Sequence, residues 1–153
     1  MSTQHVLFAC IATFVSGCVT VPDSASPYSL APDPTDGRVN VYIYRVRAIP
    51  LMRVTTISID EREVLDIPEK AYTVVSLLPG KHSFNSKWGW DTGTPSLSFN
   101  FEAPLDRPVF LKLSGDFTSR AFMWTVSSMV SKPDQAIAEK ELKNCCKFLP
   151  NKY

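Results

Sequence analysis

Nucleophilic or metal chemistry in this chain would have to draw on two histidines, His5 and His82, and four cysteines, Cys10, Cys18, Cys145 and Cys146. A Ser-His-Asp or Cys-His site needs a base within reach of an activated nucleophile. His82 stands between Lys81 and Ser83, just after a Pro-Gly turn, and no Gly-x-Ser-x-Gly elbow occurs in the chain. It is therefore expected as an exposed or hydrogen-bonded strand histidine, and the protein as a non-enzyme with no catalytic residue. Zinc fares no better, because one histidine and two adjacent cysteines do not supply ligand spacing of the C-x-x-C kind. No metal site and no cofactor is expected. For Cys145 and Cys146 three states stay open: free thiols, a vicinal ring, or a bond to another protein, adjacent Cα atoms lying closer than in an ordinary disulfide. The simplest packing buries Cys145 on a helix face and leaves Cys146 half exposed. One further cluster points to binding. Lys87-Trp88-Gly89-Trp90-Asp91 sets two indoles around a glycine beside an acid, a composition that could stack on a sugar ring while polar groups take its hydroxyls. Trp88, Trp90 and Asp91 are thus the candidate ligand-binding residues. If the strand ran on through Gly89, however, both rings would share the face of Phe84 and serve as core.

Cys18 belongs to a different chemistry. Residues 6–15 (VLFACIATFV) form an apolar run of ten, about half of what a helix needs to cross a bilayer and the right size for the hydrophobic part of a signal peptide. Val15-Ser16-Gly17-Cys18 follows at once. It resembles the lipobox of bacterial lipoproteins, in which an aliphatic residue and two small ones precede the cysteine that takes the lipid. The resemblance implies a diacylglycerol on the Cys18 thiol, cleavage before Cys18, loss of His5 and Cys10 with the leader, and anchoring by two or three acyl chains, where one alone would hold only marginally. The n-region MSTQH lacks the basic residues usual in such leaders. Val19 is not the Asp that often signals inner-membrane retention, so the periplasmic face of the outer membrane is the expected address. Residues 19–37 carry Pro22, Pro27, Pro32 and Pro34 among Ser, Ala and Asp with no apolar period. They are expected to form an extended tether holding a domain several tens of ångströms from the bilayer, at about 3.1 Å per residue.

The elements that would position these residues come from the remainder. A chain of 153 residues, 44% hydrophobic, is enough for one domain with its own core. Sixteen basic and fifteen acidic residues leave a net charge of +1 with no like-charge block, which excludes the basic stripe of a nucleic-acid binder. From Arg38 onward the period is two. Residues 96–103 (SLSFNFEA) alternate cleanly, and 39–46, 54–59, 72–78, 81–88, 108–113 and 121–130 are similar runs rich in β-branched and aromatic residues. Asp60-Glu61-Arg62-Glu63 reads as a solvated turn, and Tyr42, Tyr44 and Arg45 as a second packed face of a central strand. Pro133 and Asp134 suit a helix start, with Glu139 and Lys143 as an i, i+4 pair and Ala138, Leu142, Cys145 and Leu149 on one side. The expected fold is mainly β: a small antiparallel β-sandwich of about seven strands with a short C-terminal α-helix. The expected organisation is a signal peptide over 1–17, the lipidated cysteine and Pro-rich tether over 18–37, and the domain over 38–153.

Val41-Tyr42-Ile43-Tyr44-Arg45, Ile57-Ser58-Ile59-Asp60, Leu78-Pro79-Gly80-Lys81-His82 and the segment 138–145 together resemble the bacterial lipoprotein domain family catalogued as domain of unknown function 2846. Two positions depart from its pattern. Glu61-Arg62-Glu63 stands where a turn glycine is usual, and Val109-Phe110-Leu111 where a pair of tyrosines is usual. The family has no established activity, so the resemblance assigns no catalytic residue. It implies a membrane-anchored envelope protein whose β domain is an interaction or structural module, with an envelope protein as partner. The alternative expectation is a module for cell-wall or surface glycan using Trp88 and Trp90.

Overall fold

The computed structural model describes residues 20–120 and 123–153. In chain order the strands are β1 (Val39–Arg45), β2 (Thr55–Ile59), β3 (Arg62–Ile67), β4 (Ala71–Leu77), β5 (Gly80–Trp88), β6 (Leu97–Ala103), β7 (Val109–Arg120), β8 (Met123–Ser131) and β9 (Lys147–Phe148). A short 3₁₀ turn, Trp90–Thr92, follows β5, and the one helix, α1, spans Gln135–Cys145. The strands form two sheets, ordered β8-β7-β1-β4-β9 and β3-β2-β5-β6. Alternation explains the sandwich. Val39, Val41 and Ile43 of β1, Val75 and Leu77 of β4 and Val109, Leu111 and Leu113 of β7 meet Ile57, Ile59, Ile67, Phe84 and Phe101 of the other sheet in one core.

The two faces of β1 are both buried, as its Tyr residues led one to expect. Tyr42 and Tyr44, with Tyr72 and Phe110, form a second apolar layer on the outside of the five-stranded sheet, covered by Ala138 and Leu142 of α1 and by Cys146. A central strand covered on both sides reads as an almost unbroken apolar run.

Two features depart from an all-antiparallel sandwich. β1 pairs with β7 in parallel, Val41 opposite Val109, and β4 pairs with β9 in parallel, Ala71 opposite Lys147. Parallel neighbours need a crossover. Here the chain between β1 and β7 builds β4 and the whole second sheet before returning. Arg62 and Glu63 belong to β3, leaving only Asp60 and Glu61 as the turn. The register shift at Ile57/Ser58 brings Val64 and Leu65 both under cover, which breaks the alternation that would have announced a strand. β7 runs to Arg120, well beyond the expected Leu113. Of the expected strand 121–130, residues 121 and 122 lie outside the described residues. The helix stops at Cys145, short of the expected Leu149. The Cys146 N–H closes the last turn on the Leu142 carbonyl, and the chain then turns extended as Lys147 N–H bonds the Lys70 carbonyl.

The tether expectation needs the largest correction. Residues 20–37 are free of helix and strand, as their prolines require, but they lie against the domain. Val21 packs on the main core, and Tyr28 and Ala31 pack on the outer aromatic layer. Ala31 N–H donates to Tyr42 Oη at 2.8 Å, Asn40 Nδ2 donates to the Pro32 carbonyl at 2.9 Å, and Phe148 N–H donates to the Ser26 carbonyl at 2.8 Å. Extended backbone leaves its carbonyls and non-proline N–H groups without partners of its own, and β9, Asn40 and the Tyr42 hydroxyl supply some of them here.

Candidate functional site

The sandwich has two ends. Arg45 and Ala71 face each other at one, and Val39 and Leu77 at the other. Trp88, paired with Thr55, belongs to the Arg45 end, as does Lys147 through its partner Ala71.

The two candidate tryptophans part company here. β5 ends at Trp88, and Gly89 turns the chain into the 3₁₀ turn rather than carrying it forward as strand. Trp88 keeps the face of Phe84 and is 6% exposed, whereas Trp90 is 96% exposed. The paired sugar platform is therefore not assembled, and only Trp90 is available. Asp91 holds Arg53 at 2.9 Å. Together with Thr56, Ser58, Asp66 and Lys87, Trp90 and Asp91 border an open groove of about 910 Å³ along the outer face of β2 and β3.

Trp88 owes its place to a residue whose role sequence reasoning missed. Arg45 is 1% exposed, and its guanidinium lies 4.8 Å from the Trp88 ring centroid. It donates to the Ala48 carbonyl at 3.1 Å, to the Pro50 carbonyl at 2.6 Å and to the Arg53 carbonyl. Burial pulls this guanidinium down to about 10, against an upward pull from Glu69, so it stays charged at neutral pH. Carbonyl oxygens and an indole face thus replace water around a buried cation. In doing so they fix the whole β1–β2 connection. The signal available in the sequence was the period: Arg45 falls on the same alternation as Val39, Val41 and Ile43.

His82 sits at the opposite end, outside these grooves. Its Nδ1 lies 2.6 Å from Asp60 Oδ2 and its Nε2 2.8 Å from the Leu78 carbonyl oxygen. Both ring nitrogens are occupied by oxygens, so neither is placed to take a proton from a nucleophile. Asp60 also accepts the Ser83 N–H at 2.8 Å. Burial tends to raise its pKa, but the bonds from His82 and Ser83 outweigh that and hold the carboxyl below its usual range.

Cys145 and Cys146 form a vicinal disulfide with Cα atoms 3.7 Å apart. Their burial reverses the expected order: Cys146 is enclosed in the aromatic layer and Cys145 is half exposed, because α1 ends between them. Cys145 borders a second groove, of about 360 Å³, with Thr20, Val21, Met52, Lys70 and Lys147. Cys18, the expected lipidation site, lies outside the described residues, two positions before Thr20. No cluster of three or more His, Cys, Asp or Glu able to hold a metal occurs among the described residues, and none of their helices is long and apolar enough to cross a membrane. No family model, curated protein or solved structure matches the chain.

Proposed function

We propose that this chain is a lipoprotein of the bacterial cell envelope, anchored through Cys18 and akin to the family of domain of unknown function 2846, and that its β domain is a non-catalytic interaction module. The observation that carries this reading is the order of parts along the sequence: an apolar run over 6–15, then Val15-Ser16-Gly17-Cys18, then a Pro-rich segment whose Val21, Tyr28 and Ala31 lie against the β domain. The non-catalytic part is supported by His82, whose two nitrogens are committed to Asp60 and Leu78. Metabolic labelling with a fatty-acid analogue tests the anchor. Label incorporated by the native chain and lost in Cys18→Ser is the expected result, and equal labelling of the two chains overturns it.

A second reading is favoured by one observation, the full exposure of Trp90 beside the open groove. A single indole with Asp91, Lys87 and Asp66 around it can stack on a sugar ring and bond its hydroxyls. Muropeptide capture that Trp90→Ala abolishes would establish glycan binding. Trp88→Ala is the wrong probe, since it strips the cover from Arg45.

A further inference from the structure

The Arg45 end of the sandwich, where Thr20 and Val21 lie, carries an apolar tip. Between β1 and β2 the chain reaches outward at Leu51 and Met52, which are 45% and 82% exposed. Scattered exposed apolar residues are ordinary, but these two are held in place. Arg45 ties the carbonyls on either side of them, at Pro50 and Arg53. Met52 has a left-handed φ of 58° and donates its N–H to Glu69 Oε1 at 2.7 Å. A methionine kept in a backbone conformation that side chains rarely adopt, yet pointed at solvent, is poorly explained by folding alone.

Its surroundings name the partner. Met52 shares a groove with Thr20, Val21, Lys70 and Lys147. Val21 is three positions on from Cys18, and a fully extended chain covers at most about 11 Å in that distance. A lipid on Cys18 would therefore bring the bilayer surface close to this groove, which Thr20 and Val21 line. Lys70 and Lys147 border it, and so do Asp23 and Glu69, the latter engaged by Met52. Apolar side chains flanked by lysines suit the headgroup layer, where the former enter the acyl boundary and the latter meet phosphates.

We propose that the pole formed by Leu51, Met52, Lys70 and Lys147 rests on the phospholipid bilayer that holds the anchor, with the Leu51–Met52 tip in the headgroup layer. The acyl chains keep the protein on the membrane; this pole sets its orientation. The inference rests on the lipoprotein reading, and the experiment separates the two. The acylated full-length product is purified, its intact mass taken, and the protein reconstituted into vesicles of phosphatidylcholine and phosphatidylglycerol. Lysine ε-amines are then modified with a membrane-impermeant acylating reagent, each rate normalised to the unacylated Cys18→Ser chain in buffer. Lys70 and Lys147 are expected to react about tenfold more slowly on vesicles, while Lys81, at the far end of β5, keeps its rate. In the double variant Leu51→Ser, Met52→Ser the protection is expected to fall away. An acylated chain whose Lys70 and Lys147 react as fast as Lys81 overturns the pole and leaves the anchor standing. Full protection in the double variant overturns the role of the tip. A chain without acyl mass overturns anchor and pole together.

Discussion

A buried arginine survives only if other groups solvate it, and Arg45 has three loop carbonyls and an indole doing so, with Glu69 adding a favourable charge. Arg45→Met keeps the volume and leaves those carbonyls without donors, so a loss of about 3 kcal/mol is expected in urea unfolding. Arg45→Lys should not restore it, because one ammonium cannot reach oxygens spread across a planar fork. The β2–β3 turn makes a different point. Asp60 and Glu61 both have positive φ, 48° and 66°, where two-residue hairpins prefer Asn or Gly. Asp60 is compensated by its bonds to His82 and Ser83, but the exposed Glu61 makes no such bond among the described residues, so Glu61→Gly should raise stability by about 1 kcal/mol. The depressed Asp60 carboxyl adds stability that is present above its ordinary value of 3.8 and is lost as pH falls through the lower folded value. Unfolding of Asp60→Asn should accordingly be easier than that of the native chain at neutral pH, with the two curves converging in acid. Curves that stay equally far apart at both pH values would discount the His82–Asp60 contact.

Among the elements, the β1–β2 connection lies close against β7 at Gly115. A Cβ on Gly115 would stand 1.8 Å from the Ile49 carbonyl oxygen, a backbone atom that cannot yield without moving the loop. Gly115→Ala is expected to cost about 1–3 kcal/mol and to open the loop to trypsin at Arg47 and Arg53; unchanged digestion would show the loop to be held by Arg45 alone. Strand positions were legible wherever alternation was intact, as in β5 and β6, and the doubly covered β1 was legible from its tyrosines. β3 was hidden because the register shift at Ile57/Ser58 puts two neighbouring residues under cover. The two-residue β9 was hidden because a strand so short has no period at all; only the backbone bonds from Lys147 and Leu149 to Lys70 and Tyr72 reveal it. The parting of Trp88 from Trp90 was hidden for a similar reason, since nothing in Trp-Gly-Trp says whether the glycine continues a strand or ends it.

At the scale of the whole molecule, the segment that composition marks as a spacer is part of the body. Prolines make it extended, but extension is equally the shape of a chain laid along a sheet, and composition does not distinguish the two. Tyr28 is the clearest gauge. Its ring meets Tyr42 and Tyr72 edge-on at 6.1 and 5.3 Å, so Tyr28→Ala should lower the stability of the domain by about 2 kcal/mol, measured by thermal or urea unfolding. A free leash would give no change.

The side-by-side running of β1 and β7 also dictates a timetable. The strand at the centre of the five-stranded sheet is among the first parts of the domain to leave the ribosome, yet one of its two neighbours arrives only with residues 109–113. Until then Val41 to Arg45 have an open flank, the condition under which strands stick to whatever chain is near. A nascent or prematurely terminated product ending before Leu113 would expose that flank, and it should be found in aggregates or among protease fragments rather than as a smaller folded protein.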